Sequence, residues 1–187
     1  SVIYLVNKDI IKNWGVPESI KDKNIEFIFD INNLNFETSK DRVIEGLYCD
    51  DGGSKFCLYD RANNKTILTM DFFIPTTDYR IPSDRENVIR LECLCTNDFE
   101  MRGKGIATHY LEKIIEFGIS NDINTFKLYP DPEAEVFENL DKRNALSQKD
   151  LTDFYIRRFE KFGFKPKYLL DENDDLLKII FCKIKND

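Results

Sequence analysis

The chain of 187 residues lacks any apolar run of the roughly 20 residues needed to cross a bilayer. Its first residues show no basic start followed by an apolar stretch, so no secretion signal is predicted. These absences predict a cytoplasmic protein with no membrane partner. Internal repeats and low-complexity linkers are also lacking, and 42% of the residues are hydrophobic. Residues 1–187 are therefore predicted to form one domain with one substantial core.

Histidine is nearly absent, since His109 is the only one, and the cysteines do not have metal-ligand spacing. Their number is odd, which favours reduced structural thiols and no bound metal: Cys49, Cys57, Cys93, Cys95 and Cys182. Basic residues are outnumbered, giving a formal net charge of −7. This charge argues against a nucleic-acid partner, because most of the surface would repel a phosphate backbone. The acidity either serves solubility alone or attracts a cationic amine.

A glycine-rich turn between a predicted strand and a predicted helix is the most informative feature that the chain does contain. Residues 88–95 are rich in β-formers, and Gly103 and Gly105 follow. Apolar residues then recur at helical spacing before Gly118, namely Ala107, Tyr110, Leu111, Ile114 and Ile115. The N-terminus of such a helix attracts anions through its unpaired N–H groups and its dipole, and glycine allows a ligand to approach the backbone closely. The turn is therefore predicted to bind a phosphate.

Spacing separates three phosphate-binding patterns. The P-loop pattern fits poorly because Lys104 is followed by Gly105 and not by a hydroxyl residue. The dinucleotide pattern fits poorly because Thr108 stands where a third glycine is needed. Arg102, Gly105 and Ala107 instead match Q/R-x-x-G-x-G/A, and this turn resembles the acyl-CoA loop of the GCN5-related N-acetyltransferases (GNAT).

A second segment is similar to the same family. Ser147, with Asp150 three residues on, predicts a helix N-cap, and an apolar stripe follows that ends at Gly163. The end of this helix, RFEKFGF at 158–164, resembles the family pattern F-Y-x-K-x-G-F. Phe159 stands where many members have the tyrosine that protonates the leaving thiolate. The resemblance is specific over residues 88–168.

The resemblance implies an α/β fold: a single-domain, GNAT-like, mixed and mostly antiparallel central sheet flanked by helices, with a parallel central strand pair around the acyl-CoA loop. Sequence patterns predict short helices at 9–14 and 18–23 and leave 25–31 open between helix and strand. They place a loop at 76–87 and an insertion at 130–146. Strands are predicted at 2–6, 42–49, 55–60, 65–74, 88–96 and 125–129, with a closing hairpin of 167–170 and 176–184.

The resemblance also implies a reaction, in which a primary amine of a small molecule or protein attacks the thioester of acetyl-CoA directly. Backbone groups of Leu94, Cys95 and Thr96 would hold the pantetheine arm. The pyrophosphate would be held by the loop, which comprises Arg102, Gly103, Lys104, Gly105, Ile106, Ala107 and Thr108. Residues 97–101 form a stretch that is one residue longer than in typical family members. The strand positions carried over from the family are therefore open by one residue.

Glu92 is the candidate base that removes a proton from the ammonium group, with partial burial expected to raise its pKa. Its alternative roles are an ion pair with Arg90 or a place in solvent. Tyr155, one turn before Phe159, is the candidate proton donor to the thiolate, or else a core aromatic. His109 is expected to be a solvated residue on the polar helix face. The alternatives to an acetylating enzyme are a catalytically silent CoA-binding or protein-interaction module on the same fold and, more distantly, a nucleotide-binding enzyme.

Overall fold

The computed structural model describes residues 8–29, 54–74, 87–130 and 146–185. Three α-helices lie in this part of the chain: α1 (Lys8–Asn13), α2 (Ile106–Ser120) and α3 (Gln148–Lys161). Two short 3-10 turns occupy Glu18–Ile20 and Phe99–Met101. The strands are β1 (Ile25–Ile28), β2 (Ser54–Asp60), β3 (Lys65–Phe73), β4 (Ile89–Thr96), β5 (Thr125–Leu128), β6 (Phe164–Leu170) and β7 (Leu176–Lys183).

The described strands form one sheet in the order β1-β2-β3-β4-β5-β7-β6. Neighbours are antiparallel except β4 and β5, which are parallel because α2 carries the chain back between them. This mixed, mostly antiparallel sheet with one parallel pair beside the glycine turn confirms the predicted fold class.

The parallel pair diverges after a short stretch. Its register runs from Ile89 opposite Phe126 to Leu91 opposite Leu128, where β5 ends, whereas β4 continues to Thr96. On its other side β4 has a bulge, because Leu91 and Cys93 lie opposite successive residues of β3 and Glu92 is the extra residue between them. A bulge bends its strand and increases the local twist. The second half of β4 thus extends beyond β5, directly before the glycine turn.

Helices α2 and α3 cover the same face of the sheet. The ring of Phe126 on β5 packs against Gly118 of α2 and lies 5.1 Å, centroid to centroid, from Phe159 of α3. On the surface Glu112 of α2 forms ion pairs with two basic residues of α3, at 3.6 Å to Arg158 and 2.8 Å to Lys161. The main core lies between these helices and the sheet and includes Leu91, Leu128, Ile179 and Phe181.

Most predicted elements within the described residues are confirmed, including the closing hairpin. The segment 25–31, which the sequence leaves open between helix and strand, contains strand β1. Ser147 caps α3 by accepting from the N–H of Asp150 at 3.2 Å, and Gly163 follows its end at φ +83°. The helix predicted at 18–23 is wrong, since only a 3-10 turn forms before the chain enters β1. Helix α2 continues two residues past Gly118 to Ser120. Asp9 lies inside the first turn of α1 and does not cap it.

Predicted features at 2–6, 42–53, 76–86 and 131–145 lie outside the described residues. Among the described helices, none has the length and apolar character needed to span a bilayer.

Candidate functional site

The glycine turn has a backbone shape that favours glycine at two positions. Gly103 and Gly105 have φ values of +76° and +78°, in the left-handed region that other residues rarely adopt. A Cβ built at either residue would have no described atom within 4 Å. The space above both glycines is therefore open, and a bulky ligand can reach the backbone there.

The first turn of α2 begins directly at this open space. Gly105 is the N-cap and offers no side chain to the helix end. The first described helical bond runs from the N–H of His109 to the carbonyl of Gly105, at 3.1 Å. The N–H groups of Ile106, Ala107 and Thr108 therefore have no acceptor within the helix. Together with the helix dipole they form a donor array suited to an anion.

The two basic residues of the turn are placed differently. Arg102 is half-buried, and its Nε donates a hydrogen bond to the carbonyl oxygen of Thr96 at 3.0 Å. Its side chain thus fastens the turn to the last residue of β4. Lys104 is exposed, so its ammonium group can move toward a ligand at the turn.

The long stretch after β4 is accommodated by a small hydrogen-bonded turn. Asn97 is buried, donates its N–H to the carbonyl of Ile67 at 2.8 Å and accepts from the Thr69 hydroxyl at 2.9 Å. Asp98 then caps the 3-10 turn by accepting from the N–H of Glu100 at 3.1 Å. Asn97 is the residue that sequence reasoning missed here, because its partners lie about 30 residues away on β3 and only the tertiary fold brings them together.

The predicted pantetheine-binding residues lie on the part of β4 that extends beyond β5. Leu94, Cys95 and Thr96 are all half-buried, and Leu94 packs against the main core. Thr96 is also the residue whose carbonyl holds Arg102. This hydrogen bond therefore joins the predicted strand residues to the predicted loop residues.

Glu92 is placed at the bulge, and its side chain is exposed. The expectation of partial burial is wrong, because Glu92 alternates with the buried Leu91 and Cys93 and faces solvent. Glu92 directly follows Leu91, the last residue of β4 that pairs with β5.

Tyr155 and Phe159 of α3 both belong to the buried core, as the alternative for Tyr155 predicted. Tyr155 is buried, and this burial, with a smaller effect of the nearby Cys93 and Cys95 side chains, raises the pKa of its hydroxyl. The hydroxyl is thus protonated at neutral pH and lies near β4. Phe159 is fully buried, stacked on Phe181 with ring centroids 4.0 Å apart. Phe159 is therefore a core residue.

His109 has a structural role in place of the solvated position that was expected. It is half-buried, and its Nε2 lies 2.9 Å from the carbonyl oxygen of Trp14. The neighbouring Tyr110 donates its hydroxyl proton to the carbonyl of Gly15 at 2.8 Å. These two bonds fasten α2 to the chain segment after α1. The partners are 95 residues apart in the sequence, and no local pattern could have indicated them.

Metal ligands do not gather in the described part of the chain, where no group of three or more histidine, cysteine, aspartate or glutamate residues could hold an ion. Four described cysteines are free thiols, namely Cys57, Cys93, Cys95 and Cys182.

No protein-family model and no curated protein matches this chain. Among solved structures, it is similar to a GNAT-family acetyltransferase from Staphylococcus aureus, with 15% identity, a TM-score of 0.41, and coverage of 76% of this chain and 74% of that one. It is also similar to the PaiA N-acetyltransferase from Thermoplasma acidophilum in complex with coenzyme A, with 18% identity, a TM-score of 0.40, and coverage of 70% and 60%. An acetoin utilization protein from Exiguobacterium sibiricum has 13% identity, a TM-score of 0.42, and coverage of 76% and 64%. The chain thus spans less than two thirds of the last two proteins, and similarity at this level assigns no activity or substrate.

Proposed function

We propose that this protein is an acetyl-CoA-dependent N-acetyltransferase that acts on a primary amine of a small molecule or protein. One observation carries the proposal: β4 separates from β5 after Leu91 and leads through an open glycine turn into the uncapped N-terminus of α2. This arrangement offers a strand edge followed along the chain by a helix N-terminus. A long nucleotide thioester requires both surfaces, the first for its extended arm and the second for its phosphates.

The residues present fit such a ligand. The N–H groups of Ile106, Ala107 and Thr108 would bind the pyrophosphate, with the open space over Gly103 and Gly105 receiving its oxygens. The exposed Lys104 is placed to add a charge-assisted contact. Backbone groups of Leu94, Cys95 and Thr96 would hold the amide-bearing arm in the manner of a neighbouring strand.

The acyl donor would supply an acetyl group activated as a thioester. The amine must be neutral to attack, since an ammonium group has no free lone pair. Glu92, exposed at the point where the strands separate, would accept the ammonium proton directly or through a water molecule. As the new C–N bond forms, the C–S bond breaks and its electron pair leaves with sulfur. Tyr155, kept neutral by burial, is the candidate donor of a proton to that sulfur.

A catalytically silent CoA-binding module is the second candidate. It is favoured by two placements: Phe159 occupies the core where many family members have a tyrosine, and the side chain of Glu92 is exposed. Such a module would bind the cofactor and release no CoA.

Thermal unfolding with and without acetyl-CoA tests the binding site. A ligand at about 100 times its dissociation constant should stabilise the folded state by ~2.7 kcal/mol. Gly105→Glu and Gly105→Gln impose the same backbone strain at φ +78°, but only the first adds a negative charge. We expect both variants to lower the unfolding temperature of the free protein similarly, and Gly105→Glu to lose much more of the stabilisation by acetyl-CoA. Equal losses would show that charge at the turn is irrelevant, and no stabilisation of the wild type would overturn the proposal.

Release of CoA in the presence of a panel of amines then separates the enzyme from the silent module. For the enzyme, we expect release that falls strongly in Glu92→Gln and less in Tyr155→Phe, with acetyl-CoA binding retained in both. Binding without release for any amine would favour the silent module.

A further inference from the structure

The last three strands of the sheet carry positive charge in an acidic protein. Strands β5, β6 and β7 contain five lysines and no aspartate or glutamate, whereas the whole chain has a formal net charge of −7. Lys183 is used within the fold, since its ammonium group donates to the carbonyl of Phe162 at 3.3 Å. The other four are Lys127, Lys165, Lys167 and Lys178.

Strand alternation places these four lysines on one face of the sheet. The core residues of the three strands point to the face that α2 and α3 cover, and they are Phe126, Leu128, Phe164, Ile179 and Phe181. Each of the four lysines is an odd number of positions from a core residue of its own strand. Because successive side chains of a strand alternate between faces, the four lysines point away from the helices.

Strand register brings the lysines into neighbouring rows. Lys127 lies opposite Ile180, and Ile180 lies opposite Lys167, so one row crosses β5, β7 and β6. In the next row Cys182 lies opposite Lys165. The middle strand thus presents two uncharged side chains, with lysines on the strands at both sides. We name this surface the basic face, defined as Lys127, Lys165, Lys167, Lys178, Ile180 and Cys182.

The basic face is accessible. Lys165, Lys167 and Cys182 are exposed, whereas Ile180 is half-buried and does not pack against the main core. The ammonium groups of Lys165, Lys167 and Lys178 form no ion pair within the described ranges. No helix described above covers this side of the three strands. The face therefore combines available positive charge with an uncovered apolar centre.

Protection of the sheet edge explains only some of these lysines. Strand β6 ends the described sheet, and Lys165, Pro166 and Lys167 discourage pairing of another strand with it. Lys127 and Lys178 lie on β5 and β7, which have neighbours on both sides. Edge protection gives these two lysines no role. A partner is therefore expected to contact the face of the three strands and not their edge.

The dimensions of the basic face match those of one helix. Three strands span about 10 Å, and the five residues from Lys178 to Cys182 span about 13 Å. An α-helix with its side chains is about 10–12 Å across, and two turns are about 11 Å long. The exposed acidic residues of the hairpin turn, Glu172, Asp174 and Asp175, limit the face at its Lys178 end, because they would repel an acidic partner.

We propose that the basic face binds an acidic amphipathic helix of a partner protein. The helix would lay a narrow apolar stripe over Ile180 and Cys182, with carboxylates on both sides of the stripe directed to Lys127, Lys165 and Lys167. A nucleic acid or an anionic membrane fits less well, because either would extend beyond this small face onto a protein of negative net charge. The inference goes beyond the proposed function and does not depend on it.

The test uses three fluorescent helical peptides of about four turns. The first has a leucine stripe bordered by glutamates, the second has the same composition in an order without a stripe, and the third has lysine in place of each glutamate. We expect fluorescence anisotropy to show the tightest binding for the first peptide, and added salt to weaken it. Lys165→Glu and Lys167→Glu should each weaken this binding about fivefold, since each replaces an attraction by a repulsion. Lys149→Glu, the same change at an exposed position of α3, should leave it unchanged.

Isoleucine methyl NMR locates the bound peptide. The first peptide should shift the methyl signal of Ile180, which Ile180→Val identifies, and should leave the signal of the buried Ile114 of α2 in place. Equal binding of the first two peptides, equal effects of the three lysine variants, or an unshifted Ile180 signal would overturn the proposal.

Other occupants of the basic face are distinguished with the same variants. Tighter binding of a DNA oligonucleotide or of phosphatidylserine vesicles than of the first peptide, lost in Lys167→Glu, would assign the face to a nucleic acid or a membrane and overturn the proposal. A wild-type dimer that dissociates in Lys167→Glu would also overturn it, since the face would then bind a second copy of the chain.

Discussion

Replacing Gly118 by alanine sets two energetic effects against each other. Gly118 lies inside α2, where alanine is favoured over glycine by about 1 kcal/mol through helix propensity. A Cβ at this position would, however, lie 2.7 Å from Cζ of Phe126, 3.2 Å from the carbonyl oxygen of Ile123 and 3.2 Å from Cδ1 of Ile89. The first distance is about 1 Å shorter than a normal carbon–carbon contact.

Relief of that contact is difficult. The Phe126 ring is fully buried and lies against Phe159 at 5.1 Å and Phe164 at 5.4 Å between centroids. Ile123 contributes a backbone atom, and its N–H already donates to the Gly118 carbonyl at 2.8 Å. Overpacking of this kind costs about 1–3 kcal/mol. We therefore expect Gly118→Ala to lower the free energy of unfolding by about 1 kcal/mol, the middle of that range less the gain in helix propensity.

Urea unfolding monitored by circular dichroism measures this change. Ser120→Ala is the matched control, because it raises helix propensity at an exposed position of the same helix. In the Gly118→Ala background, Phe126→Leu should cost less than it does in the wild type, because the smaller side chain relieves the contact. A Gly118→Ala protein as stable as the wild type, or no coupling between the two sites, would refute the packing of α2 on β5 described above.

Three further predictions concern the site and its surroundings. Arg102→Ala should reduce stability by about 1–2 kcal/mol and weaken acetyl-CoA binding, because it removes the hydrogen bond to the end of β4. Lys104→Ala should weaken binding alone. Urea unfolding measures the stability and calorimetric titration the binding, and equal results for the two variants would contradict this prediction. Phe159→Tyr should destabilise the protein by about 1–3 kcal/mol without accelerating CoA release, since it buries a hydroxyl among aromatic rings; wild-type stability with faster release would place this residue in the cleft. Burial raises the pKa of both Tyr110 and Tyr155 above the ordinary 10.0. The unfolded chain therefore loses these protons first, and stability should be retained below about pH 10 and fall above it by about 1.4 kcal/mol per pH unit for each tyrosine. In Tyr110→Phe, the loss of stability per pH unit, measured from urea midpoints at several pH values, should be about half of that in the wild type. An unchanged loss per pH unit would argue against burial of Tyr110 as its cause.

Local patterns were sufficient for the elements that surround the site. The apolar spacing after Gly105 predicts α2, and Ser147 with Asp150 predicts the start of α3, because both signals act within one or two helical turns. The helix expected at 18–23 failed because so short a segment is governed by its neighbours, and Pro17 leads only into a single 3-10 turn before β1.

In the candidate site too, local features could be predicted from the sequence and features that depend on distant contacts could not. Positive φ at Gly103 and Gly105 is a local requirement of the turn, and the sequence identified both residues. The bulge at Glu92 could not be predicted, because a bulge arises from the register of two strands and not from either strand alone. The burial of Phe159 likewise depends on Phe181, which comes from a later strand.

By itself, the sequence determined that a strand, a glycine turn and a helix follow one another between residues 88 and 120, and hence that the helix begins at a glycine with no side-chain cap. These features depend on backbone conformation and on side chains a few residues apart. Only the tertiary structure decided that Arg102 holds the turn to β4, that His109 is bonded to the Trp14 carbonyl, and that Phe159 lies in the core against Phe181. Apart from the Arg102 bond, these arrangements depend on contacts between distant segments. Strand register and helix packing bring those segments together only once the whole sheet has formed.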